Sequence, residues 1–89
     1  MKLISNYEYE NEIFSKDNEE IRLTPMEAKV MKLLATKNIV KFKELEEEVF
    51  RGKNFTRPAL RNLIASIRKK SCQELIKNES KVGYSFNRE

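Results

Sequence analysis

The sequence contains no histidine and no tryptophan, one cysteine, two glycines and two prolines. Each scarcity removes a class of function. Without histidine there is no Ser–His or Cys–His nucleophile and no His-bearing zinc site. One cysteine cannot build a disulfide framework; it fits a reducing compartment, so a cytoplasmic location is expected. Cys72 itself reads as a structural or surface thiol. There is no Gly-rich phosphate loop and no nucleophile paired with a base, so no enzyme activity, cofactor or metal is expected. No stretch approaches the roughly 18 apolar residues of a membrane span. Met1-Lys2-Leu3-Ile4-Ser5-Asn6 turns polar at once, unlike a signal peptide. A chain of 89 residues buries only about 60% of the surface its unfolded form exposes, which leaves room for one modest core in one domain and no deep cavity. With 36% charged and 39% hydrophobic residues, it suits a small folded domain better than disorder.

What is present is charge, unevenly spread. Residues 1–50 hold eight bases and eleven acids, a net of −3. Residues 51–89 hold ten bases and three acids, a net of +7, and together they make the formal +4 of the chain. A polyanion-binding surface at the C-terminal end would produce this asymmetry. A solvated basic helix without a partner would produce it as well.

Residues 3–23 read as three short strands of an antiparallel sheet. Tyr7, Tyr9, Ile13, Phe14, Ile21 and Leu23 supply β-formers, while Asn11 and Lys16-Asp17-Asn18-Glu19 supply the breaks. Glu19–Leu23 alternates as a half-buried strand should. A first helix is expected over about 25–37. Thr24 caps it, Pro25 takes its first position, and Glu27 three residues after Thr24 completes a capping box. Met26, Val30, Leu33 and Leu34 follow helical spacing, and Asn38 is expected to end the helix in a left-handed conformation. Ile39-Val40 reads as an extended connector. A second helix over about 42–50 carries Leu45, Val49 and Phe50, with Glu44, Glu46, Glu47 and Glu48 as a solvated face rather than a metal site. Residues 51–56 form a loop. A third helix over about 57–71 starts at the cap Thr56, and its Leu60, Leu63, Ile64 and Ile67 make a clean inward stripe. A hairpin over about 75–87 follows, with Asn78–Gly83 as its tip and Gly83 supplying backbone freedom.

The third helix has the chemistry that a groove of duplex DNA demands. The major groove, roughly 12 Å wide, admits a helix whose outer face offers donors. At about 100° per residue, Ala65 and Lys69 lie opposite the apolar stripe, flanked by Arg61, Asn62, Ser66 and Arg68. Arginine bonds guanine bidentately and asparagine does so with adenine, which suits Arg61 and Asn62 to base edges. Ser66 suits either kind of base, and Ala65 suits a thymine methyl. Arg57, Arg68 and Lys69 are expected to neutralise phosphates. Lys81 on the hairpin tip places a second cation for an adjacent groove.

Four stretches resemble the OmpR/PhoB-type winged-helix effector domain of bacterial two-component response regulators. They are Leu23-Thr24-Pro25-Met26-Glu27 with Leu33-Leu34, then Lys43–Phe50, then Ile64–Lys70, and last Val82-Gly83-Tyr84-Ser85-Phe86. Together they span nearly the whole chain in the family's order. The resemblance implies an α+β fold, a winged helix-turn-helix with an N-terminal antiparallel sheet, three helices and a C-terminal hairpin wing. It implies sequence-specific DNA binding for transcriptional regulation, with the recognition helix in the major groove and the wing in the minor groove. Arg68 then stands at a phosphate-contacting arginine and Tyr84 at a wing tyrosine near the backbone. Arg51, Lys53, Asn54 and Phe55 stand in the loop that can touch RNA polymerase, with Lys53 and Phe55 exposed. The family binds promoter direct repeats as a head-to-tail pair. Pro58-Ala59-Leu60 replaces the usual Arg-Thr-Val. Ser80-Lys81-Val82 replaces an Arg-Gly pair, which leaves Lys81 in the part of a minor-groove arginine. The family's receiver domain is missing from this chain, so an effector domain excised from a longer regulator is expected, with a stand-alone regulator as the alternative. The rival from another class is a winged-helix protein-interaction module that does not bind DNA.

Overall fold

The computed structural model describes all 89 residues, Met1–Glu89. Two three-stranded antiparallel sheets flank three helices. The first sheet, in order β1-β2-β3, holds β1 (Tyr7–Glu10), β2 (Ile13–Lys16) and β3 (Glu19–Glu20). Its two turns, Asn11-Glu12 and Asp17-Asn18, carry positive φ at both central residues, the twist that tight hairpins favour. Tyr7 and Tyr9 point inward, while Glu8 is half-buried and Glu10 exposed. Tyr7 stacks on Phe14 with ring centres 5.5 Å apart. The strand expected over Glu19–Leu23 stops at Glu20. Ile21 and Leu23, half-buried, pack on the core as lead-in to the first helix.

That helix, α1, runs Pro25–Thr36. Thr24 Oγ1 accepts the Glu27 N–H at 3.2 Å, and Glu27 Oε1 accepts the Thr24 N–H at 2.8 Å, so the capping box is formed. Termination differs from expectation. Lys37 turns extended, at φ −132° and ψ 153°, and Asn38 is not left-handed. The reason lies beyond it, because the chain must enter a strand at once. Val40–Lys41 is β4, paired with the wing rather than serving as a plain connector.

The second helical segment is α2 (Phe42–Leu45), which widens into a π turn over Glu46–Phe50. Glu44 Oε1 accepts the Lys41 N–H at 2.9 Å and caps a start that lacks a hydroxyl. Arg51 and Gly52, both left-handed, end the segment. The third helix, α3, runs Arg57–Lys70, with Thr56 Oγ1 accepting the Ala59 N–H at 3.0 Å. Its Leu60, Ile64 and Ile67 are fully buried, as the stripe predicted, and Leu63 is half-buried.

The second sheet has the order β4-β6-β5, with β5 at Ile76–Glu79 and β6 at Gly83–Phe86. Leu75, expected in the hairpin, closes a 3-10 turn instead. The tip is shorter than expected, Ser80–Val82, because the register Glu79↔Gly83 carries pairing further out. Gly83 is not needed for a positive φ. It is needed for space, since a Cβ there would lie 1.8 Å from the Val40 carbonyl oxygen. Seventeen apolar side chains form one buried core between the sheets and helices. No helix is long and apolar enough to cross a membrane.

Candidate nucleic-acid interface

The buried stripe fixes which way α3 faces. With Leu60, Ile64 and Ile67 turned into the core, Arg61, Asn62, Ala65 and Lys69 stand exposed on the outer side, and Arg57 stands exposed at the start of the helix, nearer the stripe. Beside them the wing tip carries Lys81, exposed and left-handed at φ 60°. Between the first turns of α3 and the wing lies a cleft of about 340 Å³, lined among others by Arg57, Arg61, Asn78 and Lys81.

Aromatic contacts shape its floor. The Arg57 guanidinium sits 3.7 Å over the Phe42 ring, a cation–π contact that holds this arginine at the α3 start. Phe42 meets Tyr84 edge-on, with centroids 5.9 Å apart. Tyr84 is therefore buried, 7% exposed, at the base of the wing. The Phe42 N–H donates to Val82 O at 3.1 Å, which ties the tip to the start of α2.

Besides Tyr84, expected near the DNA backbone but buried, two of the expected contact residues on α3 turn inward. Ser66 is half-buried, and its hydroxyl lies 2.6 Å from Glu27 Oε2 and 2.7 Å from Leu63 O. One proton serves one of these acceptors, and the carboxylate is the stronger. Arg68 is half-buried as well. Its Nη2 donates to Ile76 O at 2.5 Å and to Asn78 Oδ1 at 3.0 Å, while its Nε lies out of water without an acceptor. Of the last-turn cations only Lys69 projects freely. Lys70 donates to Glu27 Oε1 at 2.6 Å and to Arg22 O at 3.2 Å.

Sequence reasoning missed Glu27 as a hub. It is 1% exposed, yet every oxygen has a partner among Thr24, Lys70 and Ser66. Burial by itself raises its carboxyl, but the hydrogen bonds from Lys70, Ser66 and Thr24 together with the Lys70 charge outweigh that and hold it below the usual glutamate range. The signal was present in the capping box, which uses one oxygen of Glu27 and leaves the other free.

The loop before α3 divides. Arg51, Lys53 and Asn54 are exposed, but Phe55, expected to be exposed, is half-buried edge-on against Phe50 at 5.2 Å. An aromatic ring beside Phe50 removes apolar surface from water, and that outweighs its place in a loop.

No protein-family model matches the sequence, and no curated protein sequence does so. Solved structures do match. The DNA-binding domain of CpxR from E. coli superposes with a TM-score of 0.74 at 22% identity, covering 99% of this chain and 95% of that one. The DNA-binding domain of the response regulator AdeR, in complex with an intercistronic region, gives 0.74 at 19% identity, covering 99% of this chain and all of that one. The C-terminal domain of the nisin resistance regulator NsrR gives 0.70 at 21% identity, covering all of this chain and 99% of that one. The chain has the winged-helix fold of response-regulator DNA-binding domains.

Proposed function

We propose that this chain is a DNA-binding effector domain of the OmpR/PhoB type, acting in transcriptional regulation within a two-component system. The observation that carries the reading is the free basic face of α3, set across an open cleft from the wing cation Lys81. A helix locked on one side by three buried apolar residues and lined on the other by Arg61, Asn62, Ala65 and Lys69, with Arg57 at its start, has the form that enters a major groove. The fold shared with the AdeR domain, whose structure is a complex with an intercistronic region, supports it.

In this reading Arg61 and Asn62 meet base edges and Ala65 permits close approach. Arg57 and Lys69 neutralise phosphates, and Lys81 enters the minor groove. Tyr84 forms the cleft floor, and Ser66 holds α3 to α1 through Glu27. Two copies sit head to tail on promoter direct repeats. RNA polymerase meets the loop at Arg51, Lys53 and Asn54. A receiver domain meets the acidic sheet and the first two helices. The setting is the bacterial cytoplasm, and no catalysis is assigned.

Salt dependence tests the reading. If the face and wing neutralise about six phosphates, affinity for a selected promoter fragment drops about a thousandfold between 50 and 200 mM salt. Flat salt dependence, or no retarded fragment in genomic selection, sinks it and leaves the protein-interaction module.

A further inference from the structure

We propose that Arg68 is a positioning residue that locks the wing against α3, and not a phosphate contact. β5 is an edge strand, so one side of its backbone has no strand partner. Asn87 N–H donates to Leu75 O, and antiparallel pairing alternates, so the carbonyl of Ile76 points away from β6. Arg68 Nη2 meets that carbonyl at 2.5 Å and reaches Asn78 Oδ1, two residues further along the same strand, at 3.0 Å. Both bonds leave one nitrogen, Nη2, whose two N–H groups are held in the guanidinium plane at the far end of the side chain, a reach and direction that the shorter, freely rotating lysine ammonium lacks.

The buried Nε confirms the direction of the side chain. A donor removed from water without an acceptor is unfavourable. It is tolerated because the Nη2 bonds hold the head of the side chain inward. Swinging Arg68 out to a phosphate would break both bonds and strand the Ile76 carbonyl. The lock joins the last turns of α3 to β5, so it sets the angle between recognition helix and wing, and with it the spacing of Lys81 from Arg61. Its consequence for DNA rests on the function proposed above; the lock itself does not.

The test is amide hydrogen exchange of the DNA-free protein with Arg68→Lys and Asn78→Ala, followed by DNA titration. Arg68→Lys keeps the charge but loses the reach and planar direction of Nη2, so exchange in 76–79 and 83–86 accelerates about tenfold while α1 amides stay protected. Asn78→Ala gives a smaller acceleration of the same segments. Unchanged wing exchange in both variants overturns the lock. If Arg68→Lys loosens the whole domain, Asn78→Ala alone decides. In DNA titrations, Lys81→Ala weakens binding of the parent protein but adds little on top of Arg68→Lys. Full rescue of DNA affinity by Arg68→Lys, with Arg68→Ala lowering the salt slope by about one contact and leaving wing exchange unmoved, restores the phosphate contact. A parent protein that binds no DNA overturns the proposed function, while wing exchange still judges the lock.

Discussion

Ser66 on α3 lies 2.6 Å from Glu27 on α1, a hydrogen bond between residues 39 positions apart in sequence. It anchors the helix with the basic outer face to a carboxylate that already caps α1. The same carboxylate carries Lys70. The Ser66 and Lys70 ties from α3 to α1 therefore share one buried carboxylate, in addition to the apolar stripe that seats the helix.

The pH dependence follows from that group. Glu27 titrates below its unfolded value of about 4.3, so its stabilisation is complete above that pH and is lost as pH falls through the lower, folded value. Glu27→Gln is expected to lower stability by about 1–3 kcal/mol at pH 7, with the gap to the parent closing toward pH 3. Urea midpoints across pH 3–7 measure it. A gap independent of pH would mean that the carboxylate charge contributes nothing.

Gly83→Ala is expected to destabilise the domain by about 1–3 kcal/mol, because a Cβ 1.8 Å from a backbone oxygen forces β4 and β6 apart. Gly52 provides the contrast. It is left-handed at φ +71° with open space around it, so Gly52→Ala loses only about 1–2 kcal/mol from backbone strain. Thermal melts of both, with exchange at β4 amides, separate a clash from strain.

Arg61→Ala or Asn62→Ala is expected to weaken DNA binding by about 1–3 kcal/mol and to relax preference at one base pair. Lys69→Ala should weaken all sequences about equally. Selection of bound fragments by each variant reads both effects, and a changed preferred base with Lys69→Ala alone would reverse the assignment of the face.

Leu60→Ala, Ile64→Ala and Ile67→Ala should each lower stability by about 2–5 kcal/mol, since all three are at most 1% exposed. Denaturant unfolding checks this. DNA affinity extrapolated to the folded fraction should change little.

Local signals made much of the fold legible. Thr24-Pro25 with Glu27, and Thr56 before Pro58, mark helix starts through bonds that span three residues. The stripe Leu60, Ile64, Ile67 fixes the buried side of α3 and hence the exposed side. Strand β4 was illegible because two residues cannot show a period of two, and their partners Tyr84 and Gly83 lie far along the chain. The inward turn of Ser66 and Arg68 was illegible for a related reason. Helical periodicity gives the direction of a Cβ, while a flanking polar side chain takes its final course from tertiary acceptors, here Glu27 and the edge of β5. Phe55 was misjudged because loop composition carries no information about a neighbouring ring.

The pairing of Val40 with Tyr84 also bears on the order of folding. The β5–β6 hairpin closes locally through a three-residue tip, in microseconds by the usual scale for hairpins. β4 joins it only when some 40 intervening residues, all of α2 and α3 among them, have been brought together, and such loop closure is entropically slow. The sheet that carries the wing is thus complete only after the helical core has assembled. Without β4 and the helices the hairpin has no cleft beside it, so the cleft and the global fold form together.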